Sequence, residues 1–267
     1  MAELAVFAGV LSICLPAFAE EYYTFSSRHY DILTTHSPQL ASEIAERLEV
    51  VFGSYTILFQ SDEVSQVRFT VRVFRDRSEF LNFARASGIQ GAESAGAIFS
   101  PRNREILSFY RGRKSEMFAS LYHECFHQFI HHFLAYVPVW FDEGLAMCYE
   151  TAQVDVARGV VQFGKKQEAF AEVIQHAHLA GNYPHLGTLV RMDHETFYKR
   201  GAVLNYADAW SFCYFLMTSE GGRYSGYSFE YFQVLRKEGP AAANEKVFPD
   251  AVLTALEPEW IAYTKRL

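Results

Sequence analysis

The segment His123-Glu124-Cys125-Phe126-His127 combines the residue types and the spacing that a catalytic zinc site requires. In a helix, residues four apart lie about 40° apart around the axis and roughly 6 Å from each other. Two imidazoles on one face can therefore bind a single metal ion, as in the H-E-x-x-H pattern. The carboxylate of Glu124 stands beside them and can reach a water molecule on the metal, where it would act as a general base.

The chain around this motif predicts one helix from Ser115 to Leu134, because the segment contains no Gly or Pro. Helical spacing places the two histidines on one face and a group of apolar residues on another. The apolar group is Phe118, Leu121, Cys125 and Phe129. We therefore expect Cys125 to lie in the core and to take no part in metal binding.

His131 continues the four-residue spacing, but it lies about 12 Å along the helix axis from His123. Three nitrogens spaced this far apart along one straight helix cannot converge on a tetrahedral ion. The metzincin pattern requires a Gly turn and a further His after the second ligand, and this chain has Ile130 and Phe133 there. We expect His131 and His132 to be surface or packing residues.

A catalytic zinc needs a third protein ligand and one open position, and the acidic pair Asp142-Glu143 can supply the ligand. The pair follows Pro138, which can open a helix, and acidic residues in a first turn also compensate the helix dipole. Gly144 and Ala146 would let this second helix lie close against another, where a Glu is buried unless it is paired or metal-bound. We favour Glu143 as the third ligand, with Asp142 or a purely capping role as the alternatives.

The segment from His123 to Glu150 resembles the gluzincin branch of the zinc metallopeptidases, in which a second helix supplies a Glu ligand. The phrase Pro138–Ala146 is similar to the P-x-W-x-x-E-G-L-A segment of peptidase-MA-like domains. More narrowly, the chain resembles the H-E-x-x-H family called domain of unknown function 1570, also through its Tyr206–Trp210 segment. The resemblance implies a zincin-like cleft and one Zn²⁺ per chain, but no particular substrate. The implied ligands are His123, His127 and Glu143.

The chemistry implied by this resemblance is hydrolysis of a peptide bond in a peptide or protein substrate. Zinc would lower the pKa of its water and polarise the scissile carbonyl. Glu124 would take the proton of that water and pass it to the leaving amine. Some gluzincins use a Tyr from a later helix as the donor to the oxyanion, and Tyr206 is the expected counterpart here. Tyr198 and His194 are the alternatives.

One stretch departs from the gluzincin pattern. Thermolysin-like members place an acidic residue one helical turn after the ligand Glu, where it supports a zinc-bound His. The corresponding positions here are Ala146 and Met147. Because metal-bound imidazoles normally donate their other N–H to an acceptor, Asp142, Glu150 or a backbone carbonyl must take this role.

Two other functions use the same residues. Zinc could brace the helices of a binding module or pseudoenzyme, although a closed structural site has no need of a base such as Glu124. A zinc hydrolase that acts on a non-peptide amide would have the same ligands. The two can be separated from a peptidase by metal content together with turnover that depends on Glu124.

Composition narrows the class of protein. Half of the 267 residues are hydrophobic and 16% are aromatic, which is ample core material for one large or two small domains. The net charge is −7 and the longest basic run is Arg111-Gly112-Arg113-Lys114, so no nucleic-acid partner is expected. The cysteines lack the spacing of a disulfide framework.

Residues 4–19 form an apolar run that ends in Ala17-Phe18-Ala19, which is similar to a signal-peptidase site. The run is short for a membrane span. The residues before it include Glu3 and no Lys or Arg, which a misplaced start codon or a buried N-terminal helix would explain equally. We expect residues 1–19 to be a signal peptide, with the mature chain exported to a periplasmic or extracellular space without stable membrane insertion.

The patterns along the chain predict an α+β fold. A small mixed sheet with helices occupies residues 20–114, a helical half with both motifs occupies residues 115–267, and the cleft lies between them. The expected strands are Tyr23–Thr34, Val67–Phe74, and a hairpin of Ala97–Phe99 with Glu105–Tyr110. The expected helices are Pro38–Phe52, Ser78–Ser87, Gln167–Leu179, Tyr206–Thr218, Phe229–Lys237 and Ala251–Lys265.

The strand that precedes the helix with the H-E-x-x-H motif has two possible positions in the sheet. In zinc peptidases of this type it often lies at the sheet edge, where an extended peptide can pair with it. Glu105–Tyr110 is either such an edge strand or an ordinary buried strand.

Overall fold

The computed structural model describes residues 22–59, 66–163, 166–199 and 201–267. In these residues the chain forms the predicted α+β fold, a five-stranded mixed sheet followed by a largely helical half. None of the described helices is both long and apolar enough to cross a bilayer. The predicted signal peptide, residues 1–19, lies outside the described residues.

The sheet contains five strands in the order β1-β2-β3-β5-β4. They are β1 (Tyr23–Ser26), β2 (Tyr30–Thr34), β3 (Phe69–Phe74), β4 (Ala97–Ser100) and β5 (Glu105–Phe109). The three central strands are parallel, and the two outer strands run antiparallel to their neighbours. The single strand predicted for Tyr23–Thr34 is therefore two strands, because the chain turns back where the Ser27 amide donates to the Tyr30 carbonyl at 2.8 Å.

The hairpin of β4 and β5 is confirmed, and it decides which strand lies at the edge. β5 is buried along its whole length between β3 and β4, so it is the ordinary buried strand of the two alternatives. β4 occupies the edge, because the chain reaches the edge first and returns through the hairpin. The edge strand is therefore β4, one strand earlier in the chain than β5, which precedes α3.

Helices cover both faces of the sheet. Helix α1 (Pro38–Phe59) packs on one face, and α2 (Arg77–Ala86) packs on the other over Phe74 and Leu107. The predicted helix Pro38–Phe52 continues for seven more residues, because Gly53 is tolerated and the buried stripe continues through Tyr55 and Phe59.

Two helices then carry the motif residues. Helix α3 (Lys114–Phe133) lies on the same face of the sheet as α1, and α4 (Val139–Glu150) packs against it. The predicted apolar face of α3 is buried, including Cys125, which is fully inaccessible. The other face of α3 is left for the motif side chains.

The second half begins with a small hairpin, β6 (Gln153–Asp155) and β7 (Val160–Gln162), and continues with helices. The helices are α5 (Glu168–Ala180), α6 (Leu186–Val190), α7 (His194–Lys199), α8 (Ala202–Thr218), α9 (Ser225–Glu238), α10 (Pro240–Val247) and α11 (Asp250–Thr264). Four of them match predicted helices, and the hairpin, α6, α7 and α10 were not predicted. One continuous apolar core joins this half to the sheet, from Ile32 and Val71 through Phe129 to Trp210.

Candidate metal centre

Helices α3 and α4 bring the three predicted ligand residues together. Nε2 of His123 and Nε2 of His127 lie 3.0 Å apart. Oε2 of Glu143 lies 3.6 Å from the first nitrogen and 3.8 Å from the second. Ligand atoms about 2.1 Å from a tetrahedral ion are separated by about 3.4 Å. The three donor atoms therefore have the separation and the chemistry that a Zn²⁺ ion requires.

The second nitrogen of each imidazole supports this assignment. Nδ1 of His127 lies 2.6 Å from Oδ1 of Asp142, and Nδ1 of His123 lies 3.3 Å from Oε2 of Glu150. Ionised carboxylates only accept hydrogen bonds, so both Nδ1 atoms carry hydrogen, and in the neutral rings the two Nε2 atoms face each other with lone pairs. Lone pairs 3.0 Å apart repel unless a cation or a proton lies between them, so this donor set fits a metal ion.

Charges around the imidazoles reinforce the preference for a cation. Burial lowers the pKa of His123, but the carboxylates of Glu143 and Glu150 outweigh burial and raise this pKa to about 10. Burial alone would raise the pKa of Glu143, yet His123, His127 and the Tyr198 hydroxyl hold it below the usual value. The centre therefore favours positive charge on the imidazole side and negative charge on the carboxylate.

Asp142 and Glu150 both take the role that the gluzincin pattern assigns to a later acidic residue. Asp142 binds His127 through one oxygen, and its other oxygen accepts from Nε2 of His131 at 2.7 Å. Burial alone would raise the pKa of Asp142, but the two imidazoles hold it well below its usual value. Asp142 therefore stands behind His127 and orients it, while Glu143 faces the ligand nitrogens.

The two neighbouring histidines lie at the margin of the centre. His131 also lies within 4.8 Å of His127 and Asp142, so these three form a second group that could hold a metal ion. His132 points away from that group and packs edge-on against Phe69, with ring centroids 5.6 Å apart. The expectation of surface or packing roles describes His132, while His131 additionally anchors Asp142.

Gly144 allows α4 to pack closely against α8, in the position from which its carboxylates reach the two histidines. A Cβ atom at this position would lie 2.5 Å from the Ala209 carbonyl oxygen and 2.6 Å from Sγ of Cys213, both in α8. Such distances are shorter than any ordinary contact, so only glycine allows the two helices to approach this closely. The predicted close helix contact is confirmed, and its partner is α8.

Glu124 is held beside the histidines by the edge strand. Its Oε2 accepts a hydrogen bond from the backbone N–H of Phe99 in β4 at 2.7 Å. Burial raises the pKa of Glu124 and outweighs the charges of His127 and His123, which lower it. A carboxylate whose pKa is raised toward neutrality is a more effective general base.

Two tyrosines close the carboxylate side of the centre. The Tyr198 hydroxyl, from α7, donates to Oε1 of Glu143, which leaves Oε2 facing the histidines. The Tyr206 ring, from α8, lies 6.0 Å from the Tyr198 ring, and burial and then the charge of Glu143 raise its pKa. His194 is further out and packs against Tyr198, with ring centroids 4.4 Å apart and ring planes tilted by 59°. All three candidate donors therefore lie on this side of the centre.

Two contacts of the centre were missed in the sequence. The sequence suggests Tyr198 only as an oxyanion donor, whereas in the structure it is the partner of Glu143, 55 residues earlier. The amide of Phe99 cannot be identified from the sequence, since a backbone donor has no residue type to reveal it. No spacing rule connects either residue to the motif, because both contacts depend on how distant elements pack.

Comparison with known proteins finds one family whose model covers the candidate ligands. Residues 117–231 match the family model described as "Protein of unknown function (DUF1570)". The match runs from α3 to α9 and includes the three candidate ligands, Glu124 and both tyrosines. No match to a curated protein was found. The match thus supports the resemblance to this family, whose description assigns no chemistry to these residues.

Proposed function

We propose that this protein is a zinc-dependent metallopeptidase of the gluzincin type. The observation that carries the proposal is the convergence of His123, His127 and Glu143 from two helices, with Glu124 beside them. When bound, Zn²⁺ would supply a Lewis acid that polarises a carbonyl and lowers the pKa of water. Three protein ligands leave a position open, as catalytic sites require and closed structural sites do not.

The chain's own residues would bind the metal ion, orient the two imidazole rings and transfer the proton. His123, His127 and Glu143 would hold the ion, with Asp142 and Glu150 fixing the two rings. The Glu124 carboxylate would accept a proton from water and deliver it to the leaving amine nitrogen. Its raised pKa suits both steps, because the group must be deprotonated first and protonated afterwards.

Tyr206 is the better candidate for the donor to the oxyanion. Tyr198 has a single hydroxyl hydrogen and donates it to Glu143. The Tyr206 hydroxyl is the neighbouring phenol that can donate to negative charge developing on the substrate oxygen. Its raised pKa keeps the phenol protonated at neutral pH, as a hydrogen-bond donor must be.

The edge strand favours a peptide over a non-peptide amide. β4 pairs with β5 along one side only, and its other side faces the site, where Phe99 contacts Glu124. The free side of an edge strand can pair with an extended backbone through main-chain hydrogen bonds. A peptide would thereby be placed across the ligand residues.

Digestion of a peptide library tests the proposal. Zinc-loaded wild type should cleave peptides, and Glu124→Ala should lose cleavage while it still binds one zinc per chain. Glu116→Ala is the matched control, since Glu116 lies on the same helix in the exposed first turn. Chelation should abolish cleavage and added zinc should restore it.

Two results would count against a peptidase. A zinc-loaded wild type that cleaves no peptide would favour the binding module, or a hydrolase of another amide. Equal cleavage by wild type and Glu124→Ala would remove Glu124 from the mechanism. Digestion with and without the chelator distinguishes these results from metal-independent contaminating activity, because only metal-dependent cleavage is lost on chelation.

A further inference from the structure

Basic residues flank the site helix at both ends, and the two groups differ in their partners. At the N-terminal end, Nζ of Lys114 lies 2.5 Å from Glu43. Arg113 and Arg111 lie 3.4 Å and 3.9 Å from Glu116. Each cation of the basic run noted in the sequence therefore has a carboxylate partner, with Glu116 shared by Arg111 and Arg113.

The other end of the helix lies against the β4–β5 turn, which carries Arg102 and Arg104. Within the part of the chain that the structure describes, neither guanidinium forms an ion pair with a carboxylate. Nη2 of Arg104 instead donates to Nδ1 of His132 at 3.0 Å. Burial and the charge of Arg104 lower the pKa of His132, which keeps this ring neutral and able to accept. The positive charge of Arg104 is thus left uncompensated.

Arg104 borders a cavity of about 330 Å³ that we call the basic pocket. Its lining includes Phe99, Asn103, Arg104, Gln128 and His131. Two of these residues touch the centre directly: Phe99 donates to Glu124 at 2.7 Å, and His131 donates to Asp142 at 2.7 Å. A ligand that lies across the centre along β4 would therefore pass the opening of the basic pocket.

The backbone holds Arg104 at this pocket in an unfavourable conformation. Its φ is +56°, in the left-handed region that non-glycine residues seldom occupy. Nε2 of the buried Gln128 donates to the Arg104 carbonyl and to the Thr70 carbonyl, both at 3.1 Å. Strained residues persist where the surroundings fix them, often at ligand-binding positions.

We infer that the basic pocket binds a carboxylate of the substrate, and that Arg104 is the residue that selects it. A guanidinium can bind a carboxylate through two parallel N–H···O bonds, and Arg104 has no carboxylate of the protein to satisfy it. The chain as a whole carries a net charge of −7, so a local cation beside the candidate metal centre would decide whether acidic peptides are accepted. This inference deepens the proposed function and rests on it for the identity of the ligand as a peptide.

Peptide binding, measured without turnover, tests the inference. Fluorescence anisotropy would give Kd values for Glu124→Ala protein with labelled decapeptides that carry Glu or Gln at each position in turn. Both termini are blocked in one set, and the C-terminus is free in a second set. We expect about tenfold tighter binding of Glu than Gln at one or two positions, decreasing as salt is raised. A preference confined to the free C-terminus would identify a terminal carboxylate as the ligand.

Substitution of Arg104 should remove this preference. Arg104→Asn takes away the guanidinium and retains a residue that tolerates positive φ, so the Glu and Gln peptides should bind equally. Arg104→Lys should retain part of the preference, because it keeps the charge and loses the fork. Arg113→Ala is the control at the ion-paired end of the helix and should keep the full preference.

The outcomes separate this inference from the proposed function. Equal binding of Glu and Gln peptides at every position, or an equal loss in Arg104→Asn and Arg113→Ala, would overturn it. Cleavage of peptides without any acidic preference would overturn it alone. An acidic preference that depends on Arg104, in a protein that hydrolyses no peptide, would support the pocket and contradict the peptidase.

Discussion

The two histidines of the candidate metal centre are held in different ways. On the His127 side, the Nδ1···Oδ1 distance to Asp142 is 2.6 Å and the Asp142 side chain is 14% exposed. On the His123 side, the corresponding distance to Glu150 is 3.3 Å and the Glu150 side chain is 37% exposed. Asp142 is itself held by His131, so the His127 side is the more extensively bonded of the two.

This difference follows from where the two acids lie on α4. Asp142 is in the first turn, beside the candidate ligand Glu143, while Glu150 is the last residue of the helix and reaches back to His123. A short hydrogen bond in a buried setting fixes ring orientation, whereas a longer exposed one competes with water. We therefore expect the His127 side to determine the geometry of the bound ion and the His123 side to tolerate substitution.

Removal of Glu143, the candidate ligand that lies near both histidines, should have the largest effect. Glu143→Ala eliminates the carboxylate that lies 3.6 Å and 3.8 Å from the two Nε2 atoms. Two imidazoles alone cannot complete a three-ligand site, so zinc should be lost after dialysis that leaves wild type saturated. Elemental analysis measures the zinc content, with Asp155→Ala as the control in the β6–β7 hairpin. Full zinc stoichiometry in Glu143→Ala would contradict the ligand assignment.

Removal of Asp142, the buried hydrogen-bond acceptor of His127, should have the next largest effect. Asp142→Ala leaves the Nδ1–H of His127 without its acceptor, so zinc affinity should fall by about 100-fold, the upper end for such partners. Competition with a zinc chelator of known affinity measures the change. An affinity equal to that of wild type would show that the short bond to Asp142 does not orient the ring.

A side chain at position 144 would push α4 away from α8. This change should destabilise the fold that holds both histidines and their carboxylate partners. Gly144→Ala places a Cβ atom 2.5 Å from the Ala209 carbonyl, so we expect a loss of about 1–3 kcal/mol in the free energy of unfolding. Urea denaturation without metal measures it. Gly53→Ala is the matched control, because Gly53 is also helical and its Cβ would meet nothing within 4 Å. A gain in stability at both positions would contradict the close contact.

Removal of Glu150, the more exposed hydrogen-bond acceptor of His123, should have the smallest effect. Glu150→Ala loses only the 3.3 Å contact to His123, and water can replace the carboxylate at that position. We expect zinc affinity to fall by about tenfold, the lower end for such partners. The same chelator competition applies. A loss in Glu150→Ala larger than that in Asp142→Ala would reverse the comparison between the two sides.

The sequence was most informative about features that depend on neighbouring residues of the chain. Spacing four residues apart predicted that His123 and His127 share a face, and the burial of Cys125 followed from the same helix geometry. The close helix contact expected from Gly144 was also confirmed. A glycine permits such a contact whichever helix packs against it, so the prediction did not require knowledge of the partner. The fold class followed from the alternation of strand and helix patterns.

Predictions were incomplete where an outcome depended on distant parts of the chain. Glu105–Tyr110 could not be assigned to an edge or an interior position, since that depends on the order in which strands pair. Helices α6 and α7 have only five and six residues, too few to show a helical period. Tyr198 and the β4–β5 turn reach the centre through packing between elements, which no short motif encodes.

The most direct test of the central claim is a crystal structure of the zinc-loaded protein with anomalous data at the zinc edge. We predict one zinc peak, about 2.0–2.2 Å from Nε2 of His123, Nε2 of His127 and Oε2 of Glu143. A peak between His127, His131 and Asp142, the other group that could hold a metal ion, would contradict the account. So would a zinc ion to which Glu143 is not bound.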